Sequence, residues 1–455
     1  MFKNLIQSLF VLLIISSCTK DEPDFSPAST VDNRDYLKEL MESWYLWNDE
    51  LPANITPSNY SNQDEMLLSL RNEQDRWSNI EDKAAYEAYY ESGQVTDENT
   101  GAHGIYLQYD EQNDLYVRFS YPGSTANTAG LKRGTKIQKV NGLDVASSTW
   151  EEISESMGEN NLGVTNTFEI EIPEIMNFVD GQSISVPSEI KEITISKEAV
   201  IISPVLHSSV ITVDQNGQDV KVGHVVFKSF IETASDALNE VFADFKAQGV
   251  TEVVLDMRYN GGGRVDIAAE LCGYLAPSSA AGKDIFRYRH NEQQTENNED
   301  YSLELQSENL NLERVFMLTT VNTASASELM INALRPFMDV QVVGQNTHGK
   351  PVGSYGFENN DFIYSVISLR ILNADDEGDY FEGLPVNQSA IDDPSYYWSD
   401  VREPMLYQAL HQIQYGQYDQ SSSTARKMKF ENINNRNLKI KEGREASFET
   451  ILKLK

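Results

Sequence analysis

Short apolar segments alternate with amphipathic ones across residues 199–415, and this alternation restricts that part of the chain to an α/β fold. Residues 253–257, 315–320 and 340–343 are apolar runs of strand length. Residues 235–247 repeat apolar side chains at the spacing of one helix face, and residues 265–275 are also predicted to be helical. The polar and charged segment 280–305 is predicted to be a mobile loop.

The sequence on either side of this segment has different patterns. Residues 33–98 are predicted to be a helical region, with helices over 33–47, 63–71 and 82–90. Residues 99–198 alternate like strands, and Asn141-Gly142 is a strong hairpin signal. Residues 416–455 are predicted to be a linker and a basic tail. We therefore expect an α/β multidomain protein.

The first residues are typical of an export signal and not of the fold. Lys3 precedes an apolar run over residues 9–15 that is too short to span a bilayer, and small residues then lead to Cys18. Residues 1–18 thus resemble a bacterial lipoprotein signal, with lipid on Cys18 and a flexible tether over 19–32. The alternatives are an ordinary secretory signal cleaved near Ser17 and a membrane anchor.

The residues after Cys18 resemble the surface-export signal of Bacteroidota lipoproteins. We therefore expect an outer-membrane lipoprotein of the cell envelope, held to the membrane by its N-terminal lipid, with surface export as a further expectation.

Composition excludes several function classes. The chain has 36 Lys and Arg residues against 70 Asp and Glu residues, a net charge of −34, which argues against a nucleic-acid partner. Cys272 lies in an apolar stretch and is predicted to be a core residue. Neither CxxC nor HExxH occurs, so no metal or other cofactor is predicted.

A serine and a lysine in small-residue segments are the candidate catalytic pair. Ser325 lies in the segment 323–328, and Lys350 follows 25 positions later at the end of the segment 347–350. A serine hydroxyl needs a base before it is a good nucleophile, and a lysine whose pKa is lowered by burial can be that base. The alternative is structural, because Ser325 and Glu328 also fit the capping box of an ordinary helix.

The glycine-rich segment 260–263 is a candidate oxyanion-binding turn. Three glycines after the strand at 253–257 permit positive φ and expose backbone N–H groups. An oxyanion hole needs such donors, and we expect one from Gly262 or Gly263 and a second from Ala326. A plain tight turn is the alternative. A phosphate loop is not indicated, because no Gly-Lys-Ser/Thr follows.

Residues 101–145 resemble a PDZ domain in their succession of strands, glycine turns and hairpin. The resemblance implies that a glycine-containing loop binds the terminal carboxylate of a peptide, which then adds as a strand. Carried over to this chain, the peptide-binding loop is His103, Gly104, Ile105 and Tyr106. The alternative is a β-domain that only packs against its neighbour.

The motifs at 255–263, 323–328 and 349–350, together with their order, resemble the carboxy-terminal processing proteases, which are serine peptidases of family S41. The resemblance covers residues 65–415. It implies Ser325 as the nucleophile and Lys350 as the general base. It also implies a ClpP/crotonase-like core, and a PDZ domain that captures unstructured carboxy-terminal tails.

This chain departs from the family at the third catalytic position. Many members have a glutamine four residues after the lysine, where this chain has Ser354. We assign Ser354 the role of orienting Lys350, although a hydroxyl holds an ammonium less rigidly. A histidine, His348 or His103, could instead be the base. Such a Ser–His arrangement, found in tricorn-like members of the family, is an alternative.

The predicted function is that of a serine endopeptidase that cleaves unfolded or tail-exposed polypeptides by a Ser-Lys mechanism. One alternative is a non-catalytic peptide-binding lipoprotein that keeps the PDZ-like surface. A second is a retinoid- or lipid-binding relative of the fold.

Overall fold

The computed structural model describes residues 32–95, 100–110, 112–179 and 182–420. The predicted lipoprotein signal with Cys18, the tether up to residue 31 and the basic tail from residue 421 lie outside these ranges. Within the described ranges, no helix combines the length and the apolar character needed to cross a bilayer.

The N-terminal region, residues 33–95, contains three α-helices and a short strand. Asp32 caps the first helix by accepting the N–H of Arg34. That helix ends at Trp44 and not at the predicted residue 47. The backbone N–H of Leu46 donates to the carbonyl of Ile367 at 2.8 Å, so it is not bonded within a further helical turn. The elements are α1 (Asn33–Trp44), α2 (Gln63–Leu70), β1 (Asn79–Asp82) and α3 (Lys83–Ser92).

The next part of the chain, called here the β-domain, is an antiparallel sheet with its own hydrophobic cluster. The strand order is β2-β3-β4-β6-β9, with β5 paired to β4 and a separate β7–β8 hairpin. Apolar side chains such as Val117, Ile137 and Phe168 are fully or almost fully buried between this sheet and its helices. The elements are β2 (Ile105–Tyr109), β3 (Leu115–Ser120), α4 (Thr125–Ala129), β4 (Lys136–Val140), β5 (Leu143–Asp144), α5 (Trp150–Ser156), β6 (Thr165–Ile172), β7 (Ile175–Val179), β8 (Gln182–Val186) and β9 (Glu189–Ser196).

Residues 199–415 form the predicted α/β core, which is built on a sheet of order β10-β11-β12-β15-β16-β21. All its neighbouring strands are parallel except the antiparallel pair β10–β11. The elements up to residue 344 are β10 (Val205–Gln215), β11 (Gln218–Phe227), α6 (Ala234–Gln248), β12 (Glu252–Asp256), α7 (Val265–Leu275), β13 (Asp284–His290), β14 (Glu299–Ser302), β15 (Arg314–Thr319), α8 (Ala326–Leu334) and β16 (Asp339–Gly344).

The chain then adds short strands and a final helix. These are β17 (Val352–Ser354), β18 (Phe357–Asn359), β19 (Phe362–Ser365), β20 (Ile367–Asn373), β21 (Gln388–Ser389) and α9 (Pro404–Tyr415). Strand β19 pairs with both β18 and β1, so the N-terminal region contributes a strand to a sheet of the core. The two regions also share one hydrophobic cluster, in which Leu37 and Trp44 pack with Tyr364 and Ile367.

The central strands are apolar on both faces because helices cover both sides of the sheet. Val253 and Leu255 of β12 face the cluster that contains α6, α7 and α8, whereas Val254 faces the cluster of α9. Val315 and Phe316 of β15 alternate in the same way. This packing explains why the sequence shows continuous apolar runs here and not an alternating pattern.

The prediction of a mobile loop over 280–305 is wrong. Strands β13 and β14 pair with each other, and β13 also pairs with β20 in a sheet of order β14-β13-β20-β17. Ile285, Phe286 and Tyr288 are buried on this sheet. The charged residues between them hid the strand pattern, and the pairing with distant β20 supplies the partner that the local sequence does not reveal.

Candidate active site

The three segments with candidate chemistry lie after three neighbouring parallel strands. The glycine-rich segment follows β12, the serine segment follows β15 and the lysine segment follows β16. Strands β12, β15 and β16 are adjacent and parallel in the sheet. Because the carboxyl ends of parallel strands meet at one edge, the fold brings all three segments to the same edge of the sheet, where α/β proteins bind their ligands.

Ser325 occupies a strained turn between β15 and α8. Its backbone has φ 55° and ψ −117°, a conformation that is sterically disfavoured for a residue with a Cβ. The N–H of Ser327 donates to the carbonyl of Ala324 at 3.2 Å and closes the turn. A sharp strand-to-helix turn with a strained serine also carries the nucleophile of the α/β-hydrolases.

The structure distinguishes Ser325 from its neighbour Ser327. Ser325 is partly exposed, whereas Ser327 is fully buried and its hydroxyl donates to the carbonyl of Asn260 at 3.2 Å. Ser327 therefore ties the helix to the glycine-rich segment, and Ser325 is the serine that a substrate can reach.

The glycine-rich segment packs directly on the serine turn. The N–H of Ala324 donates to the carbonyl of Asn260 at 3.1 Å. A Cβ on Gly262 would lie 2.7 Å from the Cβ of Ser325 and 2.9 Å from the carbonyl oxygen of Ala324, and the φ of Gly262 is +104°. Only glycine fits at this position.

Replacement of Gly262 by alanine should displace the serine turn. We expect at least a ~100-fold loss of any activity of this site, together with about 2 kcal/mol of destabilisation from strain and overlap. Gly261→Ala is the matched control, because a Cβ there meets nothing within 4 Å. Peptidase assays and thermal unfolding of both variants would check this, and equal behaviour of the two would contradict it.

The candidate oxyanion donors differ in their bonding. The N–H of Gly262 already donates to the side-chain oxygen of Asn260 at 2.9 Å, and its carbonyl accepts from Phe230. Gly263 follows with φ +134°, and Ala326 is the first residue of α8. Of the two glycines, Gly263 is thus the better candidate to pair with Ala326 as a donor.

Glu328 connects the serine segment to the lysine segment. Its fully buried carboxylate accepts four hydrogen bonds. One oxygen, Oε2, receives the N–H groups of Ser325 at 2.9 Å and Lys350 at 2.8 Å. The other, Oε1, receives the Thr347 hydroxyl at 2.5 Å and the Gly349 N–H at 2.6 Å. The capping-box pattern in the sequence indicates the bond to Ser325, but the bonds to 347–350 require the tertiary fold.

Lys350 lies in a partly buried position beside α8. Burial lowers its pKa below the usual lysine range, because the ammonium loses hydration. The carboxylates of Asp75, Glu328 and Glu81 oppose this shift without reversing it. A lysine with a lowered pKa has more of the neutral amine that can accept a proton.

The other candidates for a base or an orienting group have defined positions. Ser354 is partly buried at the end of β17 and pairs with Ile367 of β20. His348 is exposed, and its Nε2 accepts the indole N–H of Trp77 at 3.1 Å. His103 is buried in the β-domain, with its Nε2 3.0 Å from the amide nitrogen of Asn166. Both histidines therefore have structural partners.

The predicted peptide-binding loop lies at the start of β2. His103 and Gly104 are buried, and Ile105 and Tyr106 are partly buried. Gly104 has φ +66°, and its carbonyl accepts the N–H of Tyr121 at 3.1 Å. In the described part of the β-domain, β2 is the end strand of its sheet, which leaves one edge for an added strand.

A buried charge cluster that the sequence does not indicate joins the β-domain to the glycine-rich segment. Arg133 of the β-domain donates to the hydroxyl of Tyr259 at 2.7 Å and to Asp392 at 2.7 Å. Arg258, directly before Tyr259, pairs with Asp392 at 2.8 Å and with Glu403 at 2.7 Å. The cluster fixes the end of β12, from which the glycine-rich segment begins.

Two segments of the chain match models of the same peptidase family, and two curated relatives are proteases. Residues 221–381 match the model of peptidase family S41, and residues 33–79 match that of the peptidase S41 N-terminal domain. A carboxyl-terminal-processing protease of a Synechocystis species is 24% identical over 391 residues, which cover 83% of each chain. A CtpA-like serine protease of Staphylococcus aureus is 25% identical over 327 residues. That match covers 69% of this chain and 58% of the relative.

The crystal structure of a proposed S41 protease from Bacteroides fragilis has the same fold. It superposes with a TM-score of 0.68 at 26% sequence identity, and the match covers 86% of this chain and 99% of the other.

Proposed function

Because residues 221–381 match the model of peptidase family S41, we propose that this chain is a serine endopeptidase of the carboxy-terminal processing type with a Ser-Lys mechanism. The observation that carries the proposal is the shared bonding of the two segments. One oxygen of the buried Glu328 carboxylate accepts the backbone N–H groups of both Ser325 and Lys350, which holds the backbones of the two residues close together.

In the proposed reaction, neutral Lys350 accepts the proton of the Ser325 hydroxyl as its oxygen attacks the peptide carbonyl. The N–H groups of Gly263 and Ala326 stabilise the oxyanion. The lysine ammonium then gives its proton to the leaving amine. Lys350 then takes a proton from water as the water oxygen attacks the acyl carbon, and the ammonium returns that proton to the departing Ser325 oxygen, which restores the hydroxyl and the neutral amine.

We assign the third role to Ser354. It follows Lys350 by four residues and lies on β17, whose pairing with β20 fixes its backbone. Its hydroxyl can accept a hydrogen bond from the lysine ammonium, or donate one to the neutral amine. This would orient the amine between proton transfers.

The proposed substrates are unfolded or tail-exposed polypeptides. The open edge of β2 supports this, because a peptide can add there as a strand and place its terminal carboxylate at the PDZ-like loop His103, Gly104, Ile105 and Tyr106. An extended, unpaired carboxy-terminal tail has the free backbone groups that this mode of binding needs.

The proposed location is the outer membrane, through lipid on Cys18, which lies outside the described residues. Attachment of a radiolabelled fatty acid to the wild type and its absence in Cys18→Ala would support this location. An unlabelled wild type would contradict it.

The experiment that tests the function is digestion of casein by purified residues 19–455, with the new peptide ends mapped by mass spectrometry. Heat-inactivated protein is the blank. We expect new ends that appear with time and depend on enzyme concentration. No new ends would favour the non-catalytic peptide-binding alternative, which the similarity to proteases does not favour.

A further inference from the structure

A segment of the N-terminal region lies against the lysine segment. Arg76 donates from one guanidinium nitrogen to two backbone carbonyls, that of Gly349 at 3.2 Å and that of Phe381 at 2.9 Å. Those two loops also touch each other, because a Cβ on Gly349 would lie 2.2 Å from the carbonyl oxygen of Phe381. Arg76 thus binds the residue directly before Lys350 to a neighbouring loop of the core.

Trp77 makes a second contact with the same segment. Its indole N–H donates to Nε2 of His348 at 3.1 Å. Its ring lies 6.1 Å from the ring of Phe381, and the guanidinium of Arg76 lies 4.8 Å above it. Arg76 and Trp77 therefore contact the residues one and two positions before Lys350.

The segment that carries these side chains is itself fixed. Asp75 is buried, and its Oδ1 accepts the N–H groups of Trp77 at 3.0 Å and Ser78 at 2.9 Å. Its Oδ2 accepts the hydroxyl of the fully buried Tyr45 at 2.9 Å. Tyr45 belongs to the hydrophobic cluster shared by the N-terminal region and the core. The contacts to the lysine segment are thus made from a rigid base.

We propose that Arg76 and Trp77 are positioning residues for Lys350, and that the N-terminal region completes the active site by holding the lysine segment against Glu328. This rests on the proposed role of Lys350 as the base. In this arrangement two groups hold the lysine segment: Glu328 of α8 on one side and residues 75–77 on the other.

The N-terminal region also supplies charge to the site. The carboxylates that act on Lys350 are Asp75 and Glu81 from the N-terminal region and Glu328 from α8. On the loop side, Arg76 and His348 are further charged or titratable groups at the lysine segment. Because Asp75 favours the ammonium form, its neutralisation should lower the pKa of Lys350 further.

The first test compares two arginines that bind backbone carbonyls. Arg76→Ala removes the bonds to Gly349 and Phe381, whereas Arg34→Ala removes a bond to the carbonyl of Tyr60 and an ion pair with Asp32, both within the N-terminal region. We expect kcat to fall at least ~10-fold for Arg76→Ala, with KM and the thermal midpoint little changed, since a small displacement of the base is costly. Arg76→Lys should restore part of the rate. Equal kcat in both alanine variants would overturn the proposal.

The second test needs no substrate. The rate at which Lys350 is acetylated by acetic anhydride is followed by mass spectrometry as a function of pH. We expect the midpoint to move to lower pH in Asp75→Asn, and acetylation to be faster in Arg76→Ala because the segment is less tightly held. Asp49→Asn, at an exposed site, is the control. An unchanged profile in both test variants would overturn the positioning role.

The two tests separate the two proposals. Wild-type protein that fails to digest casein overturns the proposed peptidase function, but the acetylation profiles still decide whether residues 75–77 position Lys350.

Discussion

Ser325→Ala and Lys350→Met should each lower kcat for casein by about 10⁴-fold, which is the scale of removing one member of a catalytic pair. The two losses should not add in the double variant, because the serine and the lysine act as one unit in the proposed mechanism. Lys350→Met should keep or raise the thermal midpoint, since a partly buried ammonium with a lowered pKa is replaced by an apolar chain of similar length. Steady-state kinetics and thermal unfolding provide the measurements.

The pH dependence of the wild type is part of the same prediction. Only neutral Lys350 can accept the serine proton, so kcat should fall as the pH drops through the lowered pKa of Lys350. Ser327→Ala is the control, because that hydroxyl is buried against the carbonyl of Asn260, and most activity should remain. An acidic optimum, or activity that survives in Lys350→Met, would rule out Lys350 as the base and make His348 the next residue to test.

Glu328→Gln should have the second-largest effect. Four donors converge on the carboxylate, and a glutamine side chain presents an NH₂ group to two of them. Buried donors that lose their acceptor cost about 1–3 kcal/mol each, so we expect about 2–5 kcal/mol of destabilisation. Activity should fall as well, because Ser325 and Lys350 lose their common anchor. Chemical denaturation and casein digestion check the two effects.

The matched control for this change is Glu152→Gln. Glu152 is also the third residue of a helix with a capping box, α5, but it is exposed and bonds only within its own turn to Thr149. Its replacement should change stability by less than about 0.5 kcal/mol. Similar destabilisation by the two substitutions would mean that Glu328 acts only as a helix cap, without a role in joining the two segments.

The cluster around Arg133 gives the β-domain a rigid connection to the core. Arg133 and Arg258 share Asp392, and Tyr259 also donates to that carboxylate. Loss of one member would leave buried charges without their partners, which is strongly destabilising. Since Tyr259 directly precedes the glycine-rich segment, a change in the position of the β-domain would displace the candidate oxyanion donors.

Most elements of the core and the order of the chemical segments can be predicted from the sequence alone. Apolar runs of strand length predicted β12, β15 and β16, because strands covered by helices on both faces need apolar side chains at every position. Gly262, Ser325 and Lys350 could be singled out because a glycine-rich turn can expose N–H donors, and a serine and a lysine in small-residue segments can form a nucleophile and its base. Local patterns also gave α2 and α3 nearly to the residue.

How these segments meet depends on the packing of the whole fold. The strained backbone of Ser325, the four bonds to Glu328 and the contacts of Arg76 and Trp77 with the lysine segment join residues far apart in the chain. The hairpin over β13 and β14 was missed for the same reason, since its pairing with β20 lies outside any local window. Local periodicity reflects which face of an element is buried, whereas hydrogen-bond partners between distant segments are chosen by the packing of the whole fold.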